Sequence, residues 1–209
     1  MVGRPRDEQA RNLILRRAAD IASRNGLEGL SIGGLSGELG VSKSGLFGYF
    51  GSKEELQLAT VRAAARIFVT EVVQPALSVP PGLGRVWRLC ESWLSYSQRR
   101  VFPGGCFFFT VTAEFEGRPG RVRDAVAAAS LDWRRLVERT IEDARQLGQL
   151  IESADAEQVA FELIALMEAA NGVSLLQDEA AAYQRARSAI QARLRPLATD
   201  HTALPWASS

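Results

Sequence analysis

Apolar residues recur along this chain at spacings of three and four, and the strict alternation of a half-buried β-strand is absent. Ile14, Leu15, Ala18, Ile21 and Ala22 form the first such stripe, which predicts a helix over about 7–25 ended by Gly26. Ser31 is suited to cap a second helix ending near Leu39, and Ser42 a third, over about 42–48. Ser52 and Glu55 have capping-box spacing and open a fourth helix, which buries Leu56, Ala59, Ala63 and Ile67 and breaks near Pro75. Val79-Pro80-Pro81-Gly82 reads as a linker. Further helices are expected over about 83–100, 106–116, 121–147, 156–176 and 179–194, the last stopped by Pro196. The pattern predicts an all-α chain of about nine helices: a three-helix domain over 1–52, a larger helical domain over 53–198 and a flexible tail over 199–209.

The segment from Leu35 to Leu56 says most about function. Gly40 stands where a sharp turn between two helices needs a residue without a Cβ. Val41 and Leu46 are expected as buried anchors around that turn, with Ser42, Lys43, Ser44 and Gly45 between them. A short helix that is apolar behind and small and polar in front can press into a DNA groove. Lys43 and Ser44 lie in its first turn, within reach of base edges or flanking phosphates, and Gly45 and Gly48 allow close backbone approach. Tyr49 offers a hydroxyl to a phosphate, while Phe50 reads as core. Lys53 lies in the first turn of the next helix, where free amides favour an anion. Arg4 and Arg6 flank Pro5 in a short basic arm that is a candidate for the minor groove or the phosphates.

Composition supports this and narrows it. The 209 residues are 46% apolar, enough for a real core. The net charge of +1 hides an asymmetry: residues 1–53 hold eight bases and five acids, so the positive end falls on the helix-turn-helix pattern. His201, the only histidine, lies in the expected tail, which excludes histidine-based triads and multi-histidine metal sites from this chain. No nucleotide-binding glycine motif follows a strand. Cys90 and Cys106 lack CxxC spacing and read as free thiols, with a redox-sensing role for Cys106 as an alternative. No enzymatic activity, cofactor or metal is expected. No apolar run of membrane-spanning length is expected either, and residues 1–7 lack the apolar region of a signal peptide. These readings point to a cytoplasmic protein with no membrane partner. A helical scaffold with no DNA role remains the second alternative, and salt dependence of binding separates the two.

From Arg11 to Leu56 the chain resembles the TetR family of bacterial transcriptional regulators. The resemblance rests on Ile14-Leu15-Arg16-Arg17-Ala18, on Gly26 and Ser31, on Gly40-Val41-Ser42-Lys43, and on Phe47-Gly48-Tyr49-Phe50-Gly51-Ser52-Lys53-Glu54. The remaining three-quarters of the chain match the family in architecture alone. Arg17, Phe47 and Gly48 depart from the residues usual there, as do Gly33, Gly34 and Gly37 in the second helix.

The resemblance implies a sequence-specific DNA-binding regulator, in most relatives a repressor. It implies that the residues matching Ser31, Tyr49 and Lys53 hold the phosphate backbone of double-stranded DNA. It also implies a ligand cavity in the larger domain for an unidentified small-molecule effector. Trp87, Cys90, Glu91, Trp93, Leu94, Phe107, Phe108, Thr110 and Phe115 are the candidate lining residues, and Glu114 a further polar candidate. One helix-turn-helix reads too few base pairs for specificity, so a homodimer on a palindromic operator is expected, its recognition helices about 34–36 Å apart or a multiple of a turn. The candidate interface is Val159, Leu163, Leu166, Ala170 and Val173, completed by Ala186 and Ile190 as the resemblance implies.

Overall fold

The computed structural model describes residues 5–207, with side chains from Asp7 onward. Arg4 lies outside the described residues, and of Arg6 only the backbone is described. The described chain is all α: α1 Pro5–Asn25, α2 Ile32–Leu39, α3 Lys43–Phe50, α4 Lys53–Phe68, α5 Gln74–Leu77, α6 Leu83–Gln98, α7 Phe107–Phe115, α8 Arg121–Gln146, α9 Ala156–Leu176 and α10 Ala181–Leu194. The expected fourth helix becomes two because a π-helical turn, Val69–Val73, separates α4 from α5. Pro75 is the physical cause: it brings no amide to the helical ladder, and the wider turn absorbs the mismatch.

The chain divides into two compact units that cut across the expected boundary at residue 52. The first comprises residues 1–67 and 102–129, the second residues 68–101 and 130–209. In the first unit Leu15, Ala18, Ala22, Leu27, Leu30, Leu35, Leu46 and Leu56 form the core, each nearly sealed from solvent. α7 belongs here, against α1. Its approach is fixed by Ser23, whose Oγ accepts from the Gly104 amide at 3.0 Å and whose carbonyl accepts from Thr110 Oγ1 at 3.0 Å. Arg16 adds a cation–π contact, 5.0 Å from the Phe102 ring centre.

In the second unit α6, α9 and α10 pack together around a buried polar network. Ser97 Oγ donates to Asn171 Oδ1 at 2.7 Å and lies 2.8 Å from the Tyr183 hydroxyl, which also receives Ser174 Oγ at 2.9 Å. Arg100 donates to the same Tyr183 oxygen at 2.9 Å. Such a network specifies which face of α9 turns inward, because any other rotation would bury these groups without partners. The sequence reading found no run of membrane-spanning length, yet α9 is long and apolar enough to meet that test. Its apolarity serves the packing of this unit: Val159, Leu163, Met167 and Ala170 are buried in it.

The described part of the tail corrects another expectation, for it is packed. Thr199 donates its amide to the Gln149 carbonyl at 3.1 Å and its hydroxyl to that of Gly148 at 2.9 Å. Trp206 is 8% exposed, its ring 5.1 Å from Trp87. A large aromatic near a chain end is enough apolar area to hold the segment down.

Candidate nucleic-acid interface

Each joint of the helix-turn-helix is capped. Ser31 Oγ accepts from the Gly34 amide at 3.0 Å and opens α2, which Gly40 closes at φ 65°. Ser42 Oγ accepts from the Gly45 amide at 3.1 Å and opens α3. Gly51 ends α3 at φ 71°, its amide bonded to the Phe47 carbonyl at 2.7 Å. Ser52 Oγ accepts from the Glu55 amide at 3.1 Å and opens α4. The reciprocal arm of the expected capping box is replaced: the Ser52 amide donates to the Phe50 carbonyl, and Glu55 pairs with Arg121 at 2.8 Å. A capping serine spends one lone pair on the helix amide and keeps its O–H free to donate, so Ser31 and Ser42 retain a proton for a phosphate oxygen.

α3 is locked from behind and open in front. Leu46 and Phe50 are buried, and the Arg11 guanidinium lies 5.5 Å from the Phe50 ring centre. Lys43, Ser44, Gly45, Phe47, Gly48 and Tyr49 are all exposed, Phe47 at 57% and Tyr49 at 37%. Phe47 is a large apolar ring facing water, where burial would be worth on the order of 2 kcal/mol. Val41, expected as a buried anchor, is 41% exposed instead. Its backbone carries the turn, through its amide to the Ser36 carbonyl at 3.2 Å, and Leu35 fills the core. α3 contains no acid, and Glu38 on α2 is paired with Arg17. The front therefore holds Lys43 without a neutralising carboxylate on its own helix, a local field suited to a polyanion. Lys53 is half-exposed and held, donating to the Glu28 carbonyl at 2.9 Å and to its carboxylate at 3.0 Å. Hydrogen bonds from Lys53 and Gln57 hold the Glu28 carboxyl below its ordinary value.

The two other expected sites are redistributed. Trp87, Cys90, Glu91, Trp93 and Leu94 lie on α6 in the second unit, whereas Phe107, Phe108, Thr110 and Phe115 lie on α7 in the first. Glu91 accepts from Arg187 on α10 at 2.9 Å. Cys90 is sealed, and burial together with the Glu91 charge pushes its thiol up to about 12. Glu114 binds backbone amides of the first unit. Of the expected dimer residues, Val159, Leu163, Ala170, Ala186 and Ile190 are buried within the chain, with Leu166 and Val173 half-buried. The exposed stripe of α9 is instead Phe161, Ala165, Ala169, Leu175 and Leu176, with Glu168 among them. In the sequence Phe161, Ala169 and Leu175 already widen the apolar face of this helix, but α9 is apolar on both faces, so spacing alone does not say which one turns inward. Sequence reasoning passed over Gln57 and the role of Glu114. A polar residue among Leu56, Leu58 and Ala59 was the available signal for the first.

A capped, acid-free recognition helix on a three-helix head defines a helix-turn-helix DNA-binding protein. Residues 14–60 match the model of the bacterial regulatory proteins of the tetR family, and residues 82–190 that of the tetracyclin repressor-like C-terminal domain. The chain belongs to the TetR family of DNA-binding transcriptional regulators, which are not enzymes. A TetR transcriptional regulator from Chloroflexus aurantiacus is similar at 21% identity and TM-score 0.86, over 93% of this chain and 98% of its own. A protein from Saccharomonospora viridis, solved in complex with choline, is similar at 22% identity and TM-score 0.76, over 90% and 96%. AibR, solved with isovaleryl coenzyme A and operator DNA, is similar at 18% identity and TM-score 0.69, over 86% and 95%. At these identities the likeness is one of fold. No curated protein matches the sequence.

Proposed function

We propose that the protein is a cytoplasmic, ligand-responsive repressor that binds a palindromic operator as a homodimer and is released by a small, largely apolar effector. The observation that carries this reading is the front of α3, where Lys43, Ser44, Phe47 and Tyr49 stand in solvent between glycines while Leu46 and Phe50 fix the helix from behind. Lys43 and Ser44 read base edges or flanking phosphates; Ser31, Ser42, Tyr49 and Lys53 hold the backbone. The acid-free α3 and the free hydroxyl protons of Ser31, which caps α2, and Ser42, which caps α3, support this division of labour.

The homodimer forms through the outer stripe of α9. Phe161 is 66% and Leu176 87% exposed, and Ala165 and Ala169 between them let a second helix approach closely. An apolar stripe of that length on one helix face supports a two-fold contact with a second copy. For the effector, Trp87 and Trp93 on α6 of the second unit support an apolar ligand. Relatives of the fold hold molecules as different as choline and isovaleryl coenzyme A, so the ligand is to be found by screening. Release is a population shift and cannot exceed the difference in the ligand's affinity for the two states. Operator affinity measured with and without a ligand that binds the protein tests it: weaker DNA binding supports release, and equal affinities refute it.

A further inference from the structure

The turn joining α1 to α2 is held from two sides by side chains distant in sequence. Glu114, on α7, accepts from the Leu27 amide at 2.6 Å and the Glu28 amide at 2.8 Å. Gln57, buried on α4, donates to the Leu27 carbonyl at 2.8 Å and to Glu28 Oε1 at 3.2 Å. Lys53 takes the Glu28 carbonyl and Oε2. Every backbone donor and acceptor of Leu27 and Glu28 is thus engaged, and one residue, Glu28, touches both Glu114 and Lys53.

Gly26 makes the arrangement possible. Its φ of 72° turns the next two amides toward one point, a small anion-binding nest, and the Glu114 carboxylate occupies it. A Cβ at Gly26 would stand 2.5 Å from Glu114 Oε2, so no other residue fits both the conformation and the carboxylate. Charge-assisted bonds of this kind hold a turn more firmly than neutral ones.

We infer that Glu114 is a positioning residue for the DNA contact: seated in the nest, it fixes the turn whose Glu28 presents Lys53 to a phosphate. The inference rests on the reading of Lys53 as a phosphate contact given above. It makes α7 part of the DNA-gripping apparatus, because withdrawing Glu114 frees the backbone on which Lys53 is aligned.

The test compares wild type, Glu114→Gln, Lys53→Ala and the double variant on a duplex enriched from random DNA, across a range of salt. Circular dichroism melts confirm folding, and hydrogen exchange is followed at the Leu27 and Glu28 amides. Glu114→Gln keeps the shape but turns an N–H2 toward an amide. It should speed exchange at both amides, weaken binding evenly across sequences, and flatten the salt slope by about 0.9 per protomer, one phosphate contact. Glu114→Gln should then cost little further in the Lys53→Ala background, so the losses are not additive. Faster exchange with unchanged affinity and slope, or fully additive losses, overturns the proposal. Should Glu114→Gln fail to fold, Glu114→Asp, which keeps the charge but falls short of the amides, is measured the same way with the same expectation. A wild type that binds no duplex overturns the reading of Lys53 itself and this proposal with it, an outcome distinct from a wild type that binds and a variant that does not differ.

Discussion

Replacing Gly48 with alanine should make the protein more stable and a poorer DNA binder. Gly48 lies inside α3 and is exposed, and apart from its chain neighbours and the backbone of its own helix no heavy atom comes within 4 Å of where its Cβ would stand. Packing within the chain therefore gives no reason for glycine there, while helix propensity gives a reason against it, of about 0.8–1 kcal/mol relative to alanine. The methyl group should recover most of that, which for a chain of this size raises the melting temperature by about 2–4 °C. On DNA the sign reverses. If Gly48 lets the α3 backbone lie close against the groove, an added methyl is an overpacked contact costing about 1–3 kcal/mol, or roughly tenfold or more in dissociation constant. Gly37→Ala on α2 has equally open surroundings and calibrates the gain in stability. Melting curves and fluorescence anisotropy on the enriched duplex read both effects. A variant that is more stable and binds DNA as before refutes the close-approach role; one that is less stable refutes the account of α3 as open in front.

Phe161→Glu and Leu176→Glu each place a charge on the outer stripe of α9, away from the core, and should convert a dimer to a folded monomer in sedimentation while abolishing operator binding; Ala186→Glu, at a buried position, should unfold the unit instead. The Glu28 carboxyl is held below its ordinary value by Lys53 and Gln57, so its contribution to stability is present above that value of 4.5 and is lost as pH falls through the lowered one. Because the pair is half-exposed, the contribution is below about 1 kcal/mol, read as the gap between wild-type and Glu28→Gln melts closing on acidification. Neither thiol should react with alkylating reagents at neutral pH in the folded protein, since Cys90 and Cys106 are both buried and the Cys90 thiol is pushed up to about 12; rapid labelling of Cys106 with loss of DNA binding would favour a redox role.

The head was legible in the sequence because its signals are local. Ser31, Ser42 and Ser52 each cap the helix they were expected to open, since a cap depends on residues two or three positions away. Gly40 takes the left-handed conformation that the turn requires. What the sequence hid depends on contacts between distant residues. Phe107, Phe108 and Phe115 read as a patch of the larger domain, yet Ser23 and the 27–28 turn draw α7 onto α1. α9 is apolar all round, so spacing does not separate Val159 and Leu163, which are buried within the chain, from the exposed stripe; Asn171, fully buried and bonded to Ser97, fixes its rotation. Trp206 was too near the end of the chain to be counted as core, though a partner for it, Trp87, waits on α6.

The central claim is that the front of α3 reads a palindromic DNA sequence in a two-fold complex. Selection from random duplex DNA with the purified full chain, at about physiological salt, tests it most directly. The account predicts enrichment of one palindrome, lost on Lys43→Ala or Tyr49→Ala with folding unchanged. A folded dimer, freed of any co-purified ligand, that enriches no sequence, or a palindrome retained by both variants, would contradict it.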